Sequence, residues 1–129
     1  MRKIFITLLL TLFFCSTKAQ NLIGFSYEDA WLNLNQKEYI VSNNYTDDNI
    51  LFISATDNES VRFYYFSKDD ICVIYALSYP NLNLIQIKRG LLDAGYRPFG
   101  NEFYKDEFKA NIVYLDEYSC YFVIVSWVR

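Results

Sequence analysis

Short apolar stretches recur along most of this chain, and such stretches are typical of buried β-strands. Short polar segments separate the stretches and indicate turns between strands. We predict seven strands, at residues 38–42, 50–55, 61–66, 71–79, 102–105, 110–115 and 120–128.

Two segments have instead the spacing of an amphipathic helix, with apolar residues three or four positions apart. Each begins with a capping-box pattern, Ser26 to Asp29 in the first and Asn83 to Gln86 in the second. Gly95 follows the second segment and is suited to end a helix. The apolar stripes are Tyr27, Ala30, Trp31 and Leu34 in the first segment and Leu84, Ile87 and Leu91 in the second.

The chain also contains an internal similarity, because residues 60–80 align with residues 109–129 without a gap. Both segments have the pattern of strand, short polar turn and strand, and the two helical segments precede them in the same order. Apolar positions align easily by chance in β-rich sequences, but the coincident caps, turns and last strands favour a duplication. We interpret the chain as a tandem repeat of a helix followed by a three-strand meander, with halves at residues 25–80 and 81–129.

Two such halves predict a single α+β domain at residues 20–129. In it an antiparallel β-sheet has two helices packed on one face. No segment rich in Pro, Gly or Ser separates the halves. The composition agrees with a packed domain, since 53% of residues are hydrophobic and 19% are aromatic.

The predicted turns determine which side chains share a face of the sheet. If Ser67 lies opposite Asp70, the residues flanking this turn pair in order, and opposed residues share a face. One face then carries Phe63, Tyr65, Cys72, Ile74, Ala76, Ile112, Tyr114, Tyr121, Val123, Val125 and Trp127. The other carries Tyr64, Phe66, Ile71, Val73, Tyr75, Leu77, Val113, Leu115, Cys120, Phe122 and Ile124.

The second set is more aliphatic, so we assign it to the helices. The first set is then exposed, and its aromatic residues are candidates for binding a partner because Tyr and Trp are enriched at interfaces. These candidates are Phe63, Tyr65, Tyr114, Tyr121 and Trp127. Two alternatives stay open: the sheet could curl to enclose these aromatics in a second core, or the two faces could be reversed.

Cys72 and Cys120 fall on opposite faces in this scheme, which excludes a disulfide between them. A bulge of one residue would reverse the face of one cysteine and remove this exclusion.

The first 19 residues are predicted to be a signal peptide that is removed on export to the periplasm or the extracellular space. Arg2 and Lys3 precede an apolar run at residues 4–14, which is too short to span a membrane. Thr17 and Ala19 then provide small residues for cleavage after Ala19. A lipid anchor at Cys15 is a weaker alternative, because the preceding residue, Phe14, is bulky.

Charge and composition exclude several classes of protein. The chain has a net charge of -3, and loss of the first 19 residues leaves nine basic against 15 acidic side chains. An acidic surface repels the phosphates of nucleic acids and of anionic lipids. The absence of His excludes catalytic pairs that depend on imidazole and zinc sites that use it.

The remaining candidate chemistry is weak, and we predict no catalytic, metal or cofactor-binding residue. Residues 47–48, 69–70 and 116–117 are paired carboxylates, but all three pairs lie in predicted turns, where acids usually solvate the chain. Residues 43–49 are rich in oxygen ligands but lack the spacing of a calcium loop. Asn44 and Asn58 begin glycosylation sequons, which occur by chance in Asn-rich chains.

These observations predict a non-enzymatic binding module, whose partner is a protein or a second copy of the chain. At the level of architecture alone it is similar to secreted inhibitors and envelope-assembly modules that bind across an open sheet. One alternative is a carrier that holds a small apolar ligand between sheet and helices. A more remote alternative is a hydrolase that uses the turn carboxylates.

Overall fold

The computed structural model describes residues 21–37 and 39–128. The predicted signal peptide, including Cys15, lies outside the described residues. The elements, in chain order, are α1 (Tyr27–Asn35), β1 (Ile40–Tyr45), β2 (Leu51–Thr56), β3 (Val61–Phe66), β4 (Cys72–Tyr79), α2 (Leu84–Asp93), β5 (Arg97–Phe99), β6 (Glu102–Lys105), β7 (Phe108–Leu115) and β8 (Cys120–Trp127).

The strands form one antiparallel sheet in the order β1-β2-β3-β4-β8-β7-β6-β5. Strands β1–β4 therefore lie on one side of the centre and β5–β8 on the other, and β4 pairs with β8 between them. This confirms the predicted α+β class and the antiparallel sheet. The tandem duplication stays a prediction.

Both helices begin where the capping residues predict. The Oγ of Ser26 accepts a hydrogen bond from the Asp29 amide at 3.2 Å. At α2 the capping box is complete, with Asn83 and Gln86 exchanging two side-chain to backbone bonds of 2.9 Å. These bonds satisfy amides that the first turn of a helix leaves free.

Gly95 ends α2, as its position in the sequence indicates. It has a φ of 100°, which favours glycine over residues with a side chain. Its amide bonds to the Leu92 carbonyl, and the Tyr96 amide bonds to the Leu91 carbonyl, each at 3.0 Å. This pair of bonds is a Schellman motif, which closes the last turn and directs the chain into β5.

All seven predicted strands are present, with ends that shift by up to three residues. Strand β1 extends to Tyr45, through two asparagines that we had placed in a loop. Strand β5 was missed, because it has three residues and contains Pro98, which disfavours a strand assignment.

A β-bulge near the start of β4 changes which side chains share a face. Tyr65 pairs with Ile74, but the next residue, Phe66, pairs with Cys72, so Val73 has no partner in β3. Because of this extra residue, side chains no longer alternate regularly across Val73. The residue before it points to the face opposite to the one that regular alternation predicts. Cys72 therefore shares a face with Phe66, and Ile74 shares one with Tyr65.

The register of β4 on β8 overturns the predicted matching of the two halves across the centre of the sheet. Tyr75 pairs with Val125, and Ala76 pairs with Ile124. Each pair joins residues that we had assigned to opposite faces. The error arose because we aligned the halves without a gap. The first hairpin is two residues longer than the second: Ser67 bonds to Ile71 across the turn and does not lie opposite Asp70 as predicted, and Val73 is the bulge residue.

Buried residues form two clusters. The larger one contains helix residues Ala30, Leu34, Ile87 and Leu91 together with Ile53, Tyr64, Tyr75, Leu77, Val123 and Val125 of the strands. We call the face that carries these strand residues the core face. The smaller cluster contains Ala76, Cys120 and Phe122, with Val61, Phe63, Leu115 and Ile124 packed against it. We call this opposite face the aromatic face.

Loss of the α2 cap should destabilise the fold. Asn83→Ala removes the bond that the Gln86 amide donates to the Asn83 side chain, and we expect the free energy of unfolding to fall by about 1 kcal/mol. Urea denaturation monitored by circular dichroism measures the change. Asn81→Ala, at an exposed position just before the cap, is the matched control and should leave the midpoint unchanged. Equal losses in the two variants would contradict a specific role for the cap.

Candidate functional site

Five aromatic rings meet on the aromatic face, and we call them the aromatic patch. They are Phe52 of β2, Phe63 and Tyr65 of β3, Phe122 of β8, and Tyr118 of the turn between β7 and β8. Strand register places the first three together, because Phe52 lies opposite Tyr65 and both alternate with core-face residues.

The rings of the patch contact one another in a continuous series. Their centroids are 5.5 Å apart for Phe52 and Tyr65, and 6.1 Å apart for Phe63 and Phe122. Tyr118 packs edge-on against Phe122 at 5.3 Å. Such offset and edge-on arrangements are favourable for aromatic pairs. The cluster is therefore a preformed surface, held in place by the register of three strands.

Burial varies across the patch. Phe122 is fully buried beneath its neighbours, whereas Tyr118 is 41% exposed. Phe52, Phe63 and Tyr65 are partly buried. The patch thus has an apolar floor and an aromatic rim that water reaches.

Polar side chains flank the patch on both sides along the sheet. Towards β1, the hydroxyls of Ser42 and Ser54 are 2.6 Å apart. Towards β6, the Tyr104 hydroxyl donates to Glu102 at 2.8 Å, and Lys109 lies 3.3 Å from the same carboxylate. The bonds from Tyr104 and then Lys109 lower the pKa of Glu102. An apolar centre between polar flanks is the usual anatomy of a protein–protein interface.

Of the five predicted binding residues, only Phe63 and Tyr65 lie on the aromatic face. Tyr114 and Tyr121 contact each other at 5.0 Å, but they lie on the core face, since Tyr121 pairs with Tyr79. Trp127 also lies on that face, with its ring close to the backbone of Gly24. The register of β4 on β8 is the physical reason for this correction, because it places Tyr75 opposite Val125 and so puts Tyr121 and Trp127 on the face of Tyr75.

Sequence reasoning missed three members of the patch. Phe122 was assigned to the helix-covered face, because the alignment of halves placed it there. Phe52 lies in a correctly predicted strand, but its face was never assigned. Tyr118 was treated only as a turn residue. Continuing the alternation from β3 into β2 would have found Phe52.

The cysteines lie on opposite faces, as predicted, and both are free thiols. Cys72 belongs to the larger cluster and Cys120 to the smaller one. We had assigned Cys72 to the aromatic face and Cys120 to the opposite one, and the structure reverses both assignments. The prediction of opposite faces is therefore confirmed although each single assignment was wrong. Burial raises the pKa of Cys72 to about 12 and also raises the pKa of Cys120. A thiol that stays protonated is a poor nucleophile.

The paired carboxylates at residues 47–48, 69–70 and 116–117 are all exposed in turns. They lack the burial that is typical of a catalytic acid. Within residues 21–37 and 39–128, no three His, Cys, Asp or Glu side chains are grouped so that they could hold a metal ion. Asn43, part of the oxygen-rich stretch, lies in β1 and donates its side-chain amide to the Tyr27 hydroxyl at 2.6 Å.

Arg62 is a buried cation, only 8% exposed, on the core face. Its guanidinium lies 4.8 Å from the centre of the Tyr39 ring, which stabilises the charge by a cation–π contact. Burial and the charge of Arg62 lower the pKa of Lys37. The arrangement fixes the chain between α1 and β1 to the sheet.

An open groove lies between α2 and strands β5–β7. It has a volume of about 560 Å³, and its lining includes Leu84, Lys88, Leu92, Pro98, Phe103 and Ile112. Small-molecule sites commonly have this size and an apolar lining with one or two polar groups.

In the part of the chain that the structure describes, no helix has both the length and the apolar character needed to cross a membrane. Comparisons with known protein families, with curated proteins and with solved structures found no match to this chain.

Alkaline pH should destabilise the protein. Burial raises the pKa of Cys72 above its ordinary value of 9.0, and it also raises the pKa of Tyr75 above 10.0. The folded state therefore holds these protons more tightly than the unfolded state. The resulting stability is complete below about pH 9 and is lost progressively as the pH rises through the folded-state values.

Urea denaturation at a series of pH values measures this decline. Tyr75→Phe should flatten the part of the curve above about pH 10, because phenylalanine has no proton to lose. Exposed Tyr45→Phe is the matched control and should leave the curve unchanged. Stability that stays constant up to about pH 11 would contradict the prediction.

Proposed function

We propose that this chain is an exported, non-enzymatic binding module that binds a protein partner through its aromatic patch. The observation that carries the proposal is the set of ring contacts among Phe52, Phe63, Tyr65, Tyr118 and Phe122 on one face of the sheet. Contiguous apolar surface of this kind usually marks an interaction site.

The arrangement of layers supports this proposal. Both helices contribute buried residues to the cluster that includes Tyr64 and Tyr75, whereas the cluster around Phe122 contains strand residues alone. We therefore infer that both helices cover the core face and leave the aromatic face open. A tandem duplication would explain this layout, and the turn residues Asp70 and Ser119 support it by having similar positive φ values of 60° and 54°.

Export is supported by the amino-terminal sequence, in which Arg2 and Lys3 precede an apolar run and small residues follow it. The proposed location is the periplasm or the extracellular space. A lipid anchor at Cys15 would place the same domain on a membrane surface without changing its fold.

The character of the patch favours a protein partner. Its rim combines two tyrosine hydroxyls with apolar rings, and tyrosine is among the residues that contribute most binding energy at protein interfaces. The flanking Glu102 carboxylate is already paired with Lys109, so the patch can be covered without leaving that charge uncompensated.

The groove beside α2 favours a second candidate function, the carriage of a small apolar ligand. Its lining by Leu84, Leu92 and Phe103 would accommodate a hydrocarbon, while Lys88 at the same groove could pair with an acidic head group. The location of the ligand differs from our sequence-based alternative. That alternative placed the ligand inside the core, between sheet and helices, whereas this groove lies at the edge of the core near β5.

Removing the rim of the patch should abolish partner binding. In Tyr65→Ser/Tyr118→Ser we expect the partner's dissociation constant to rise by about 1,000-fold, because each of the two aromatic anchors commonly contributes about 2 kcal/mol. Native mass spectrometry of protein purified gently from its host measures the loss of the complex.

Tyr114→Ser is the control for this test, because Tyr114 is 49% exposed but lies on the core face. It should leave the complex intact. If the double variant still carries its partner while remaining folded, the aromatic patch is not the binding site.

The carrier hypothesis predicts a small added mass on the purified protein. Leu92→Glu places a charge in the groove and should eliminate that mass. Ile85→Glu introduces the same charge on the same helix at a residue that is 70% exposed, and it should leave the ligand bound. Protein that carries no extractable compound would exclude this function.

A further inference from the structure

The two edges of the sheet differ sharply in their ability to accept another strand. Edge strand β5 has three residues, and it contains Arg97 and Pro98, of which the proline has no N–H to donate. Edge strand β1 has six residues, and none of them is charged, Pro or Gly. Proteins usually protect an exposed edge with a charge, a proline or a bulge. Such protection is present at β5 and absent from β1.

The backbone groups of β1 that face away from the sheet can be identified. The Thr46 amide donates to the Ile50 carbonyl at 2.9 Å, at the end of the β1–β2 ladder. Because bonding alternates along an antiparallel pair, Ile40, Ser42 and Asn44 bond towards β2. The N–H and C=O groups of Val41, Asn43 and Tyr45 therefore point to the open edge. The Tyr45 amide is consistent with this assignment, because it bonds to the side chain of Asn44 at 2.9 Å and not to the backbone of β2.

We propose that β1 pairs with β1 of a second copy of this chain, antiparallel and with Asn43 opposite its own counterpart. In this register the three outward-facing residues of each copy meet those of the other, and Val41 lies opposite Tyr45. Tyr45 is 63% exposed in the single chain. Pairing would cover part of it with a β-branched residue, a favourable cross-strand combination.

The symmetric register, in which Val41 and Tyr45 pair twice, favours a second copy as the occupant, and charge permits it at this strand. The chain is acidic, with 15 Asp and Glu against 12 Lys and Arg, so two copies repel each other over most of their surface. The β1 strand carries no charge, and it therefore offers an edge where two copies can approach. The opposite edge does not accept β1, so the assembly closes as a two-fold dimer and does not extend into a filament.

The size of the contact determines its strength. A single six-residue strand pair buries less surface than a standard interface of about 1,600 Å². We therefore expect a reversible dimer with a dissociation constant on the order of micromolar. The two-fold axis is perpendicular to the sheet, because opposed residues must share a face. Both aromatic faces then point to the same side, and the dimer presents two aromatic patches together.

Sedimentation velocity over a range of concentrations tests the dimer. Asn43→Pro removes the outward amide at the centre of the pairing while leaving the bonds to β2 intact, and it should weaken the dimer by about 100-fold or more. Asn43→Ala is the matched control. It loses the same side-chain bond to Tyr27 but keeps the amide, so it should still form dimers.

A charge exchange tests the register. Asn43→Lys and Asn43→Glu should each be monomeric, because like charges then face each other across the axis. Mixing the two variants should restore a dimer that contains one of each. This second pair keeps the test decisive even if Asn43→Pro fails to fold.

Two outcomes would overturn the proposal. The unmodified protein could stay monomeric up to its solubility limit, or its dimer could resist Asn43→Pro. In the second case, loss of the dimer in Tyr65→Ser/Tyr118→Ser would assign self-association to the aromatic patch. Because partner binding and dimerisation use different residues, failure of one proposal leaves the other standing.

Discussion

The pairing of β4 with β8 is the constraint on which the rest of the molecule depends. It joins the first four strands to the last four, and six residue pairs, from Ile74 opposite Ser126 to Tyr79 opposite Tyr121, set its register. Since side chains alternate along each strand, this register decides which residues of the two halves share a face. A slip of one position would send the buried side chains of one half to the opposite face.

The bulge at Val73 determines which side chains of β4 share a face with the aromatic rings of β3. It leaves Tyr65 and Ile74 on the aromatic face while Cys72 turns into the larger cluster. Tyr75 can then pack beside Tyr64, with ring centroids 6.0 Å apart, on the core face. A single additional residue thus decides whether the aromatic rings of β3 meet Phe122 or meet Trp127.

Local signals in the sequence were sufficient for the elements but insufficient for the faces. Ser26, Asn83 and Gly95 predicted the ends of the helices correctly, because each acts through backbone groups only a few residues away. The central strands carry no such signal. Residues 71–77 and 120–125 are apolar at every position, so their pattern has no phase from which a face or a bulge can be read. The candidate site depended on that phase, and for this reason only Phe63 and Tyr65 of the five candidates lie on the aromatic face.

Because the central strands are apolar at every position, the sheet buries side chains on both of its faces. The chain can therefore keep an aromatic surface without losing stability. Phe122 is fully buried on the face whose cluster contains strand residues alone, so its cover comes from neighbouring rings such as Phe63 and Tyr118. Each ring of the rim hides part of another, and the sheet gains apolar burial on both faces. The patch therefore does not require a partner in order to fold. Its outer rings remain available for binding because the floor beneath them is already packed.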